Sequence, residues 1–326
     1  MANYLVTGAA GFIGARTSEM LIQQGHTVVG IDNMNDAYDI RMKEHRLKRL
    51  QTMDGFEFVR DDISDRGILT RHSSLVTRHF DGLINLAAWA GVRASVENPW
   101  IFVESTILGT VNMLELCRQN GIPKFILAST SSIYGANPPY PTPETASSSE
   151  PLQPYAASKK GAEAMAHAYH HLHGIDVTVV RFFTVYGPAG RPDLAIFRFV
   201  QWITEDRPVR VNGDGEQSRG FTYIDDIVRG IIAGLEPVGY EIVNLGGHEV
   251  ITINNLIKLI EDIIGKKGDV QHGPANPADM LSNWADVSKA GRLLGWEPQV
   301  GLREGISRLV DWYNAEREWA KDIATD

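Results

Sequence analysis

Tyr155-Ala156-Ala157-Ser158-Lys159 sets a phenol and an ammonium four residues apart, in a run from Pro154 that reads as helix through His173. Residues four apart on a helix share a face. A free tyrosine titrates near pH ~10 and is a poor base in the cell. A cation beside it favours the phenolate and lowers that value. The spacing therefore offers a tyrosine able to take and return a proton near neutrality. Many surface helices carry the same spacing by chance, so a reason for such a base must come from the rest of the chain.

The N-terminus supplies one. Tyr4-Leu5-Val6 is a short apolar run that ends at Thr7-Gly8-Ala9-Ala10-Gly11-Phe12-Ile13-Gly14; a helical pattern follows, then a second apolar run, Thr27 to Ile31, that ends at Asp32. Strand, glycine turn, helix, strand and acid make the layout of a dinucleotide-binding unit. Glycines let the backbone approach a pyrophosphate, whose charge sits at the helix N-terminus. A carboxylate at Asp32 accepts from the ribose hydroxyls of NAD and would repel the added phosphate of NADP. The glycine spacing is G-x-x-G-x-x-G, a departure from the commoner G-x-G-x-x-G.

Four further runs extend the pattern: Phe56 to Arg60, Leu83 to Leu86, Phe125 to Ala128 and Val177 to Phe183. Alternation of strands with helical stretches predicts an α/β fold, a doubly wound parallel Rossmann sheet. The strand ends carry Asp62-Ile63, Leu86-Ala87-Ala88 and Ser129-Thr130-Ser131-Ser132, which suit an adenine, a cofactor crevice and a polar ligand in turn. After Gly187 the chain becomes richer in Pro, Gly, Arg and Asp, then mainly helical. We expect residues 1–187 to form the NAD-binding domain, with a returning segment at about 221–248. Residues 188–220 and 249–326 would form a smaller, mainly helical substrate domain, with the ligand cleft between the two.

Composition narrows the partners. A net charge of −9 argues against nucleic acid or an anionic membrane as the main partner. The single cysteine, Cys117, excludes an internal disulfide and a cysteine-rich metal site, and fits a reducing, cytoplasmic setting. No signal peptide or membrane span is expected. The basic run Arg41 to Arg49 reads as a solvated, partly amphipathic helix, the lesser alternative being a contribution to the adenosine end of the cofactor. His167, His170, His171 and His173 read as a partly solvated helix face, with no metal site expected.

Together Gly8, Gly11, Gly14, Asp32, Leu86-Ala87-Ala88, Thr130, Tyr155 and Lys159 resemble the extended short-chain dehydrogenase/reductase family, and within it the NAD-dependent nucleotide-sugar epimerases and dehydratases. The resemblance reaches the C-terminal Trp284-Ala285-Asp286. It implies a triad in which Thr130 bonds the reacting hydroxyl, Tyr155 is the acid and base, and Lys159 holds the cofactor ribose and depresses the tyrosine. It places NAD on Gly8, Gly11, Phe12, Ile13, Gly14, Asp32, Asn33, Asp62, Ile63, Leu86, Ala87 and Ala88, besides Tyr155 and Lys159. Dehydratases of the family carry Asp-Glu directly after the triad threonine, and decarboxylases Ser-Glu; here the pair is Ser131-Ser132. Without a carboxylate there, elimination lacks its proton relay, which leaves oxidation at C4 and return of the hydride to the other face.

The segments Arg181 to Asp193, Phe221 to Ile227 and Ala90 to Arg93 resemble those of the UDP-glucuronate 4-epimerases. The substrate implied is a UDP-uronate, bound through Arg93, Ser131, Ser132, Thr184, Arg191, Arg219 and Asp279. Arginine suits a planar carboxylate; the other use of Arg191 is a phosphate contact or a loop salt bridge. Three departures bear on substrate or affinity: Ser218-Arg219-Gly220-Phe221 lacks the acid that most relatives carry beside the phosphate site, Asn276 stands where UDP-galactose epimerases place a phosphate-binding arginine, and Thr106 replaces an asparagine common near the nicotinamide. The alternatives are a neutral-sugar 4-epimerase, a decarboxylase, or a non-catalytic NAD-binding regulator. The resemblance also implies a homodimer through a four-helix interface formed by the stretches at about 98–118 and 155–172.

Overall fold

The computed structural model describes residues 1–89, 91–247, 249–274 and 282–325. Its strands, in chain order, begin with β1 (Asn3–Thr7), β2 (Thr27–Asp32), β3 (Phe56–Arg60), β4 (Gly82–Asn85), β5 (Lys124–Thr130) and β6 (Asp176–Phe182). Seven more follow: β7 (Thr184–Tyr186), β8 (Val209–Asn212), β9 (Ser218–Tyr223), β10 (Tyr240–Leu245), β11 (Val250–Thr252), β12 (Val270–Gly273) and β13 (Ser282–Asn283). One parallel sheet of seven strands has the order β10-β6-β5-β4-β1-β2-β3. The winding reverses between β1 and β4, so the crevice for a ligand lies at their carboxyl ends. Every residue of β5 is buried, as expected where helices cover both faces of a parallel sheet and the strand reads as one apolar run. The returning segment is β10, which pairs with β6 from Tyr240↔Val177 to Leu245↔Phe182.

The helices that matter for the site are α1 (Phe12–Gln23), α2 (Arg41–Leu50), α3 (Pro99–Asn120) and α4 (Pro154–His173). Pro154 opens α4, where a missing N–H costs nothing, and Gly174 closes it with φ +68°. α3 contains a π-helical turn, Val103–Leu108, and packs along α4 so closely that a Cβ at Gly161 would lie 2.9 Å from Ile107 Cδ1. By length and composition α3 could cross a membrane, which differs from the expectation that no stretch is long enough. It is instead built into the domain, with Met113, Leu114, Leu116 and Cys117 buried in the core beside Leu5, Leu83 and Phe125.

Beyond Gly187 the chain forms the expected helices, among them α5 (Ala195–Thr204), α6 (Ile224–Ala233), α7 (Ile253–Ile264), α8 (Ser288–Leu294) and α9 (Leu302–Ala315). It also forms two small sheets that the sequence did not announce. β9 pairs with β7, β11 and β13, and β8 pairs with β12. Segments of two to six residues are too short to display a strand period against loop composition.

Candidate active site

The turn between β1 and α1 is pressed against its surroundings. Gly8 has φ +69°, and a Cβ at Gly14 would lie 2.1 Å from the Gly8 carbonyl oxygen. Only glycine fits there. Among the described residues no side chain caps the N-terminus of α1, and no acid stands in its first turn, so its N–H groups are suited to an anion. Asp32 ends β2 at 6% exposure, accepting from Ala10 N at 3.1 Å and Met34 N at 2.8 Å. Lys43 Nζ lies 3.3 Å from Asp32 and 2.9 Å from Asn35 Oδ1. Oδ1 takes both Met34 N and Lys43, whereas Oδ2 takes only Ala10 N and keeps lone-pair capacity for a further donor, which is the chemistry of ribose recognition. Residues 86–88 follow β4, half-buried against the glycine turn, with Ala87 N donating to Thr7 Oγ1 at 3.1 Å. These features fit a dinucleotide.

Other residues expected at the cofactor have internal work. Asn33 donates to Asp62 Oδ2 at 2.8 Å, and Ser64 bonds the other Asp62 oxygen. Ile63 is buried under α3, where Asn112 bonds its carbonyl at 2.8 Å. Ile13 is half-buried in the first turn of α1; Phe12 is buried and lines the same cleft as Thr184, Gly187, Gly190 and Arg191.

The reacting groups meet at the end of β5. Thr130, Ser131 and Ser132 enter a 3-10 turn capped by Thr130 Oγ1, which accepts from Ser132 N at 3.2 Å. The Thr130 hydroxyl faces the Tyr155 phenol as its hydrogen-bonding neighbour and lies 3.3 Å from Ser132 Oγ. Lys159 Nζ donates to the Ala128 carbonyl at 2.9 Å. Burial pushes the Tyr155 phenol up, while the bond to Thr130 and the charge of Arg191 pull it down. Lys159 was expected to depress the tyrosine. Its ammonium is turned to the strand, and the cation that acts on the phenol is Arg191.

Arg191 forms a two-pronged pair with Asp193, Nε to Oδ1 at 3.0 Å and NH2 to Oδ2 at 2.5 Å. The loop salt bridge foreseen as the other use of this arginine is therefore present. Arg46 of α2 holds the loop from behind, donating to Ala189 O at 2.7 Å and Gly190 O at 3.1 Å, and reaching Ala10 O at 3.3 Å. One guanidinium thus ties the glycine turn to the Arg191 loop. This corrects the reading of Arg41 to Arg49 as a solvated face, because Lys43 and Arg46 are both buried. The signal lay in the spacing: they share a helical face with Met42 and Leu50.

On the facing side, Asn283 of β13 donates to Ser131 Oγ at 3.0 Å. Arg219 lies half-buried on β9 next to Asn283, and its NH1 donates to Ser218 O at 2.7 Å. Arg93 is exposed on the short helix Val92–Glu97. Asp279, Asn276 and Ala90 lie outside the described residues. Thr106 is buried in the π turn, and among the described residues its hydroxyl has no hydrogen-bond partner. Of the histidines, His170 Nδ1 meets the Ile175 carbonyl at 2.8 Å, and no group of three potential metal ligands occurs among the described residues. Glu163, Lys43, Asp193 and Asn283 are the neighbours of the site that the sequence did not single out.

Comparison with known proteins agrees with this geometry. The family model described as GDP-mannose 4,6 dehydratase matches residues 5–309. A UDP-glucuronate 4-epimerase of Thermodesulfobacterium geofontis is 51% identical over 325 residues, covering 99% of each chain. Among solved structures, the Bacillus cereus UDP-glucuronic acid 4-epimerase in complex with UDP-glucuronic acid and NAD is 35% identical with a TM-score of 0.85, over 96% of this chain and 99% of that one. The UDP-glucose 4-epimerase of Thermotoga maritima with UDP-glucose is 32% identical with a TM-score of 0.89, over 97% and 99%. The chain belongs to the extended short-chain dehydrogenase/reductase family of nucleotide-sugar epimerases and dehydratases.

Proposed function

We propose that the protein interconverts UDP-glucuronate and UDP-galacturonate at C4, using bound NAD. The observation that carries the reading is the seating of α4 on β5 through the Lys159–Ala128 bond, which brings Tyr155 to Thr130, Ser131 and Ser132 with Arg191 acting on the same phenol. NAD supplies the hydride acceptor and donor at C4; Gly8, Gly11, Gly14 and Asp32 would hold it, with Lys159 at its ribose. Thr130 orients the C4 hydroxyl and Tyr155 takes its proton. The 4-keto sugar then turns its other face to the site, and Tyr155 returns the proton to the new hydroxyl. Net redox change is zero. The T. geofontis and B. cereus relatives act on, or are bound to, the uronate by their names, which supports this substrate.

A 4-keto uronate is a β-keto acid, and it loses CO2 when its carboxylate bond lines up with the carbonyl π system. Arg191, Thr184, Ser131 and Ser132 would hold the carboxylate out of that alignment by orientation. No carboxylate follows Thr130, so the site lacks the elimination relay of dehydratases although the family model carries that name. Purified protein incubated with UDP-glucuronate and no added NAD should yield UDP-galacturonate. A UDP-pentose with CO2 as the main product would overturn the reading in favour of a decarboxylase.

We also propose a cytoplasmic homodimer. Trp100 of α3 is 75% exposed and Leu172 of α4 69%, with Val103 and Met165 also exposed on the same two helices, and Val96, 65% exposed, lies on the short helix just before α3. Aromatic and aliphatic side chains at helical spacing on two packed helices match the face a second copy would cover. Trp100→Glu should shift the protein to monomer in analytical ultracentrifugation; a native chain that sediments as a monomer at micromolar concentration would end this proposal.

A further inference from the structure

Three consecutive residues at the end of β5 each hold one side chain from successive turns of α4. Thr130 faces the Tyr155 phenol, the Ala128 carbonyl accepts from Lys159 at 2.9 Å, and Ser129 Oγ donates to Glu163 Oε1 at 2.6 Å. Tyr155, Lys159 and Glu163 are spaced by four residues and lie on one helical face. Glu163 is 2% exposed and takes two N–H donors from Arg181 of β6, Nε at 2.9 Å and NH2 at 2.8 Å. Arg181 is buried in turn and meets the Tyr134 hydroxyl at 3.0 Å, which donates to Asn244 Oδ1 at 2.6 Å. A buried ion pair seldom gains stability over apolar residues of similar size. A charged pair of this depth, directly behind the reacting residues and unused by the proton steps, has a better reason in the site than in the fold.

We propose that Glu163 is a positioning residue for Lys159, supplying the anion that keeps its ammonium charged and, through Ser129, holding α4 on β5 in the register that aims Tyr155. The role rests on the reading above, in which Lys159 acts as a cation at the cofactor ribose. Burial pushes the Lys159 ammonium down to about 8, and Glu163 is the group that draws it back up. The other charged or ionisable groups around the pair are few. Tyr155 and Lys160 share its helix, the latter 3.3 Å from Glu163. Arg181 meets both Glu163 and the Tyr134 hydroxyl, Tyr240 of β10 donates to the Glu163 carbonyl at 3.4 Å, and Arg191 lies beyond Tyr155. β5 offers a carbonyl and hydroxyls, while α3 brings Phe102 to Tyr155 and carries an exposed Glu104.

The test is Glu163→Gln in the full-length holoenzyme, read as kcat for UDP-glucuronate against pH. Activity that needs the ammonium falls as pH rises through about 8 in the native protein. Loss of the neighbouring anion should move that fall downward by about 1 pH unit or more. Glu163→Asp, which keeps the charge, should bring it most of the way back. Glu163→Gln leaves Arg181 buried and unpaired and can fail to fold, so the double variant Glu163→Gln with Arg181→Met is tested beside it and should show a smaller displacement in the same direction, since a cation is lost with the anion. A kcat lowered evenly at every pH, with the limb in place, would overturn the proposal and leave Glu163 a structural residue. The Lys159 titration can also be followed by NMR of 13Cε-lysine-labelled holoenzyme, assigned with Lys159→Arg, without turnover. A displaced titration in a protein that does not convert UDP-glucuronate would sink the activity and leave the role of Glu163 standing; an unmoved titration in an active epimerase would do the reverse.

Discussion

At the seam of β5 and α4, Lys159, Glu163 and Arg181 are almost fully buried and each is tied to fixed partners on the sheet. Across the cleft, Arg191 keeps its guanidinium on Asp193 with 25% and 30% of the two side chains exposed. The seam is over-determined: moving one group breaks several bonds that have no substitute in water. The loop pair is exchangeable, because water or an incoming carboxylate can take the place of Asp193 at little cost. Proton transfer needs fixed distances, and recognition of a charged substrate needs a cation that can be released to it. The two regions divide those demands.

Tyr155→Phe is the sharpest way to break that division. The ring still packs edge-on against Phe102, so the seam should survive and the protein should fold with unchanged melting temperature. Removal of the acid/base should lower kcat by about 10²–10⁴-fold, with uronate affinity unchanged in calorimetric titration. Sugar interconversion at the native rate would return the non-catalytic reading to favour. Arg191→Ala acts on the other region. A charge-assisted bond is worth ~1.5–3 kcal/mol, so uronate KM should rise about 10- to 100-fold with a smaller change in kcat. Some UDP-pentose should appear as the carboxylate gains freedom. An unchanged KM with no added CO2 would place the uronate elsewhere. Because Arg191 also draws the Tyr155 phenol down, its removal should move the acidic limb of the rate profile to higher pH.

The two regions also differ in how far the sequence discloses them. The glycine turn, Asp32 and the Tyr155/Lys159 pair were legible because their chemistry is written in local spacing, three or four residues at a time. Glu163 sits at that same spacing, yet its meaning depends on Arg181 from β6 and Ser129 from β5, which only the sheet brings together. Lys43 and Arg46 were misread because a run of basic residues looks solvated until the loop at 189–190 is seen covering it. Arg191 was legible as a cation but its partner Asp193, two residues on, was passed over as loop composition. The hardest case is Asn283, which reaches Ser131 from 152 positions away on a strand of two residues.

That bond joins the two regions, and it gives the smallest of the expected effects. Ser131 is buried, and Asn283 is the side chain that holds its hydroxyl from the facing side of the cleft. A neutral hydrogen bond contributes ~0.5–1.5 kcal/mol, so Asn283→Ala should cost a factor of about 2–10 in kcat/KM for the uronate. If Ser131 belongs to the exchangeable region, the loss should fall on KM, and UDP-glucose should bind the variant as well as it binds the native protein. If Ser131 instead belongs to the rigid seam through Thr130, the loss should fall on kcat for every substrate. The same small number therefore decides on which side of the cleft the fixed machinery ends.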